Sequence, residues 1–252
     1  MKKHDTVLWL IFILFMAVRL MVDISYWHVV AYISAGLSVY LLIKNGRPGG
    51  KHMVWSALFA VLGTVAYLGY MRKPEILIYG ILTAGIPTLI SALAVFSVAE
   101  KHSGCRMLSK EGKHPLVKSL MIAVAAGAVL SVINTYLSYL SHEEIGFEFS
   151  LWKILLCFNP GIVEEIVYRA VFMAYCIYFA KDEKMNLFQS CTMYFMMSVP
   201  HTVSHGYGLY PTILLCLLFG IPFTILQRKR DITSAMVSHG LVDAVRFTLT
   251  GI

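Results

Sequence analysis

Charge is what this sequence has least of. Aspartate, glutamate, lysine and arginine make up only 14% of its 252 residues, where a soluble domain carries about 25%. The charges fall in short clusters, and between them run apolar stretches of about 20 residues, the length a helix needs to cross roughly 30 Å of hydrocarbon. The longest polar stretch, Glu100 to His114, is too short to bury a core, which excludes a sizeable soluble domain. Cysteine is scarce and scattered. Cys105, Cys157, Cys176, Cys191 and Cys216 form no Cys-x-x-Cys pair, and all but Cys105 lie in apolar runs. That pattern argues against a disulfide framework and a thiolate metal centre; these are small apolar residues of membrane helices. There is no low-complexity tract, no convincing internal repeat and no His-Glu-x-x-His, so the usual zincin helix is missing. Nor is there a basic face with interleaved aromatics, so the net charge of +7 does not point to nucleic acid.

What remains is nine apolar segments, at 6–22, 25–44, 53–71, 75–98, 117–140, 150–180, 186–205, 209–227 and 232–250. Each is read as a helix, because an isolated strand cannot satisfy its backbone in lipid. The first two are separated by almost nothing around Asp23, so they are either one hairpin or a less regular pair. The expected fold is therefore an all-α polytopic transmembrane helical bundle of about eight to nine spans. The first segment follows Met1-Lys-Lys-His-Asp without a small-residue cleavage site and reads as a retained span rather than a signal peptide. Placing the N-terminus in the cytoplasm puts Lys44, Arg47, Lys51, Lys101, Arg106, Lys110, Lys113, Lys181, Lys184 and Arg228-Lys229-Arg230 on the cytoplasmic side, as the positive-inside rule requires. The opposite loops hold Asp23, Glu143, Glu144 and Glu148, with Arg72-Lys73 the exception. Nine spans would put the C-terminus outside; eight would not. A boundary near residue 115 separates the N-terminal spans and basic loop (1–114) from a membrane core (115–252). The only interior charge of the first part, Arg19, is near enough to a span end to snorkel.

The second part carries three stretches with ionisable groups inside apolar runs: Glu164-Glu165-Ile-Val-Tyr168-Arg169, Met197-Ser-Val-Pro200-His201-Thr-Val-Ser-His205, and His239-Gly-Leu-Val-Asp243. A charge at the centre of a lipid-facing helix costs at least about 2.5–3.5 kcal/mol, so these groups are expected to face a protein interior or a watered cavity. Glu165 and Arg169 are four apart and share a helix face, with the glutamate N-terminal, the better orientation. Glu164 is turned away and has no clear partner in its own helix, which suits a general acid or base. His239 and Asp243 are four apart as well, and Asp243 is placed to accept from His239 and fix its tautomer. The bland alternatives are a buried ion pair for the glutamates and Arg169, a helix–helix hydrogen bond for His201, and an interhelical clamp for His239–Asp243. For His205, beside Gly206 at a span end, a structural role is favoured. Met193, Met196 and Met197 read as packing.

Taken together the three stretches resemble the CPBP intramembrane endopeptidases, also called the Abi or type II CAAX prenyl protease family. The likeness covers about residues 115–250 and leaves out the first four spans. The family's Glu-Glu-x-x-x-Arg is met by Glu164, Glu165 and Arg169. Its Phe-x-x-x-His is met by His201, with Met197 in place of the aromatic. Its His-x-x-x-Asn/Asp is met by His239 and Asp243. The resemblance implies hydrolysis of a peptide bond in the membrane, with Glu164 as general base on a water that His201 helps to hold. It also implies that His239 and Asp243 stabilise the oxyanion, while Glu165 and Arg169 support Glu164. Asp243 stands where many members have Asn, and an ionised Asp cannot donate to an oxyanion. The implied partners are the lipid bilayer and a peptide, lipid-modified precursor or membrane protein cut near the cytoplasmic face; the implied location is a bacterial plasma membrane.

No cofactor is expected. Zinc is the alternative, because Glu164, His201, His205 and His239 are residue types that bind it. A non-catalytic membrane protein is the competing function, giving self-protection against a peptide toxin, as in bacteriocin immunity, or scaffolding other membrane proteins. A third reading is a transporter with a proton relay. It would need paired helix breaks in two halves, and Pro160-Gly161, Pro200 and Gly220-Ile221-Pro222 find only one echo, Gly85-Ile86-Pro87.

Overall fold

The computed structural model describes residues 3–21, 26–71, 75–181 and 183–250. Nine helical runs account for most of them: α1 (Lys3–Met21), α2 (Tyr26–Asn45), α3 (Gly50–Tyr70), α4 (Ile76–Ala99), α5 (Pro115–Leu140), α6 (151–180), α7 (Leu187–Ser204), α8 (Leu209–Lys229) and α9 (Ile232–Thr250). No strand occurs among the described residues. Each expected segment coincides with one helix, and the all-α bundle is as expected. The α1–α2 connection at Asp23 and the Arg72-Lys73 exception lie outside the described residues, as does the side chain of Arg19.

Among the described residues, only α3, α4, α5 and α8 are long and apolar enough to cross a bilayer by length and composition; α1 and α2 contain shorter apolar stretches, Asp5–Leu14 and Val29–Asn45. The helices below that standard include α6, α7 and α9, which carry the ionisable groups. They tolerate them because protein, not lipid, surrounds them. From Pro160 to Ile177 every residue of α6 is buried.

Successive helices alternate in direction, so the bundle has two ends. At one end the α2–α3 and α4–α5 connections meet, with Gly49 N donating to Glu100 Oε1 at 2.9 Å. There, too, Arg228 at the close of α8 donates to Gly104 O at 3.4 Å. The start of α1 packs on the start of α7, through Trp9 against Phe188 and Thr192. At the other end lie the last turns of α3, α5, α7 and α9 and the first turns of α4, α6 and α8.

Both ends of α9 are tied down by loops flanking α5. At its start, Ile232 N and Thr233 N donate to Arg106 O and Met107 O, each at 3.0 Å. At its finish, Leu249 O and Thr248 O accept from Gly146 N and Glu148 N at 2.8 and 2.9 Å. Helix termini leave such groups without partners inside the helix; here two loops supply them. Between those ends α9 lies along α5, and Gly127 lets the backbones approach, since a Cβ there would come within 3.1 Å of Ser238 O. Small residues at such crossings are how membrane helices pack closely.

Prolines shape the remaining helices. Pro87 in α4 and Pro222 in α8 each follow a five-residue π turn, Ile81–Gly85 and Cys216–Gly220. A helix proline crowds the carbonyl four residues earlier and removes a donor; widening the preceding turn to i→i+5 pairing relieves both. Pro160 opens a third π turn, Asn159–Glu164, and a fourth, Ile166–Ala170, follows it. Pro200 lies inside α7 without one.

Candidate active site

The two π turns of α6 decide where its side chains point. Residues five apart share a face of such a turn, and Asn159 Nδ2 accordingly donates to Glu164 Oε1 at 3.0 Å. Glu165 falls between the turns and pairs with Arg169, four residues on, in a fully buried contact. The neighbouring carboxylates thus take different partners, and Glu164 does have one in its own helix. The 3.6-residue spacing used on the sequence could not find Asn159.

α9 crosses α6 almost backbone to backbone: a Cβ on Gly161 would come within 3.3 Å of Gly240 Cα. That crossing brings His239 onto both glutamates. Its Nδ1 is 2.7 Å from Glu165 Oε1, and its Nε2 is 3.8 Å from Glu164 Oε2 and 3.4 Å from Asp243 Oδ2. Glu165 Oε1 also takes the Arg169 contact, and Arg169 Nη1 lies 3.4 Å from His239 Nδ1. A guanidinium only donates, so the carboxylate oxygen receives both groups and Nδ1 carries a proton. Asp243 lies beside His239 Nε2 as the spacing suggested, and Glu165 adds a second, closer carboxylate at Nδ1 that the spacing did not show. Phe223 of α8 stacks on the His239 ring, centroids 4.3 Å apart, and the Arg169 guanidinium lies 5.5 Å from the centroid of the Phe223 ring.

From α7, His201 Nε2 lies 3.3 Å from Glu164 Oε2. Its ring faces Tyr168 at 5.7 Å and His205 at 5.2 Å. Ser198, one turn earlier, bonds Thr224 of α8 at 2.9 Å and locks the two helices together. Met193, Met196 and Met197 are buried in the core. His205, expected to be structural, lines the same cavity as His201.

All six residues singled out in the sequence meet at one place. Glu164, Glu165, Arg169, His201 and His239 are buried, and Asp243 is 16% exposed. Glu164, His201, His239 and Asp243 line a cavity of about 450 Å³. Its opposite wall comes from α3 and α4, through Tyr67, Tyr70, Tyr79 and Thr83. The family likeness read from the sequence left those helices out, and no local signal in them marked these tyrosines.

One ligand atom from each of Glu164, His201 and His239 lies within 4.8 Å of the others, so these three residues are of the type and spacing to hold a zinc ion. If Glu164 were a ligand, the carboxylate left at the cavity would be Asp243, beside His239 Nε2 at 3.4 Å. Glu165 is fully buried and committed to Arg169 and His239.

Residues 146–245 match a family model described as type II CAAX prenyl endopeptidase Rce1-like. The matched stretch runs from the loop before α6 into α9 and holds all three motifs. Over that stretch, less than half of the chain, the resemblance expected from the three motifs is borne out: it is similar to CAAX-protease-like endopeptidases. No curated protein and no solved structure matches the chain.

Proposed function

We propose that the protein hydrolyses a peptide bond of a peptide or lipid-modified precursor in the membrane, using a water activated by Glu164. The observation that carries this reading is the division of labour at Glu164. Its Oε1 is held by Asn159, while Oε2 faces His201 at 3.3 Å and His239 at 3.8 Å on the cavity floor. A water on the cavity side of Oε2 and His201 loses a proton to Glu164 as its oxygen adds to the scissile carbonyl carbon. The same proton passes to the leaving nitrogen when the C–N bond breaks. His239, with a proton on each nitrogen, keeps Nδ1–H on Glu165 and gives Nε2–H to the oxyanion. Asp243 accepts beside Nε2 and positions that donor, so it need not donate itself. Preorganised donors of this kind are commonly the largest contribution to such catalysis.

In this mechanism no metal takes part, because the base and a zinc ligand would be the same carboxylate. Purified, chelator-stripped protein is expected to keep its full activity; loss of activity that zinc restores would overturn the metal-free mechanism.

The proteolysis itself is tested by expressing wild type and Glu164→Gln at equal membrane levels and comparing the peptides in each culture by mass spectrometry. A product present with wild type and missing with the variant is expected, and it names the substrate. Indistinguishable profiles, with any cellular phenotype intact in both, would leave the non-catalytic immunity or scaffolding role as the better reading.

A further inference from the structure

The cavity lies at one end of the bundle and the positive charge at the other. Along the parts of α3, α7 and α9 beside the cavity, exposure rises toward the same end. On α7 His201 is buried and His205 half-buried; on α9 His239 is buried and Arg246 half-buried; on α3 Thr64 is buried and Tyr70 is 48% exposed. The floor is therefore deep in the bundle, and the mouth is where α3, α7 and α9 finish and α4, α6 and α8 begin. Of the 21 lysines and arginines, all but Arg19, Arg72, Lys73, Lys153, Arg169 and Arg246 fall by their place in the chain at the opposite end. Of these six, Arg169 is spent on Glu165 and Lys153 on Glu148 at 2.8 Å. A bias of this size in short loops sets orientation, with the basic end in the cytoplasm.

We infer that the cavity opens on the extracytoplasmic face, and that its substrate is a polypeptide whose scissile bond reaches the site from that side. Exported peptides still held at the membrane have that chemistry, and so do the outer juxtamembrane segments of membrane proteins. The C-terminal Cys-a-a-X motif is prenylated on soluble cytosolic chains and would arrive at the wrong end. The expectation of cleavage near the cytoplasmic face is reversed by the position of the mouth. This substrate class rests on the proteolysis proposed above; the orientation does not.

The test reads orientation without activity. In a Cys191→Ser, Cys216→Ser background, single cysteines are placed at exposed positions of the two ends: Ser141→Cys in the mouth-side loop after α5, and Lys110→Cys in the basic loop before it. Glu144→Cys and Lys113→Cys form a second pair should either variant fail to accumulate. Intact cells are treated with a membrane-impermeant maleimide, before and after permeabilisation. The mouth-side cysteines are expected to label at least tenfold faster than the basic-end cysteines in intact cells, with the difference lost on permeabilisation. The reverse order, or equal labelling of both ends in intact cells, overturns the inference. Mouth-side labelling without any Glu164-dependent product would support the orientation and count against proteolysis alone.

Discussion

Two buried carboxylate clusters pack against α9, one at its start and one at its middle, and the two are built differently. At its start, Asp231 is fully buried and both of its oxygens are saturated. Oδ1 accepts from Ser234 N and Ser234 Oγ, each at 2.7 Å; Oδ2 accepts from Ser109 N at 2.9 Å and Ser119 Oγ at 2.6 Å. Arg230 stands beside it at 3.6 Å and reaches on to Glu111 at 3.2 Å. Four donors fill the two oxygens, and the result is a cap that joins α9 to α5 and the basic loop. Further along, Glu164 has one oxygen held by Asn159 and the other turned to two histidines and a cavity. Burial and charge are alike in the two clusters. What separates them is hydrogen-bonding capacity: one carboxylate has used its own, and the other faces a space a substrate can enter.

The sharpest way to break this comparison is to swap charge for shape at both places. Glu164→Gln removes a base, a contribution worth about 10²–10⁴ in rate, so cleavage should fall by about 10³-fold or more while thermal stability in detergent stays equal or rises. Asp231→Asn turns one saturated acceptor into a donor facing donors, whichever way the amide lies, and should cost about 2–3 kcal/mol of stability. Cleavage per folded molecule should be unchanged. Parallel unfolding curves and turnover numbers decide it. If both variants lost stability alike, or both lost turnover alike, the distinction between spent and unspent carboxylates would fail.

How much of this was readable without coordinates follows the same division. The helices were legible, because long apolar runs in lipid leave the backbone little choice. Glu164, Glu165, Arg169, His201, His239 and Asp243 were legible because an ionisable residue in such a run is costly enough to need a reason. Asn159 was not, because its link to Glu164 depends on a π turn, and spacing arguments assume 3.6 residues per turn. Asp231 was passed over because it sits among Arg228, Lys229 and Arg230, where a charge needs no explanation until its burial is seen. The tyrosines of α3 and α4 could not be assigned, since only the packing of the two halves brings them across from the glutamates.

Asn159 offers the next test, of whether the held oxygen of Glu164 matters. Asn159→Ala leaves the base in place but frees its carboxylate to rotate, and loss of one hydrogen bond to a charged group is worth about 1.5–3 kcal/mol. Turnover should drop by about ten- to hundredfold, the substrate concentration for half-maximal rate should hold, and Asn159→Gln should not rescue. Unchanged turnover with lowered stability would make Asn159 part of the scaffold, like the serines around Asp231.

The smallest effect belongs to a third carboxylate, Glu100, at the basic end outside the helices. It contacts His52 and accepts from Gly49 N. Hydrogen bonding from His52 holds its carboxyl below the usual glutamate range; burial opposes this, and the Gly49 backbone N–H adds to the lowering. About a third of each side chain is exposed, so water screens the pair and it contributes little. Because the folded-state value is lowered, the stability it adds is present above the ordinary glutamate range and fades as pH falls through the lowered value. Glu100→Gln should therefore be slightly less stable than wild type at neutral pH, and the gap should close in acid. Asp231→Asn should keep its much larger deficit at neutral pH, and melting curves of both variants across that range would place Glu100 with neither cluster, as a solvated tie between two loops. A Glu100 deficit as large as that of Asp231, or one that persists unchanged into acid, would show that exposure is not what sets the difference.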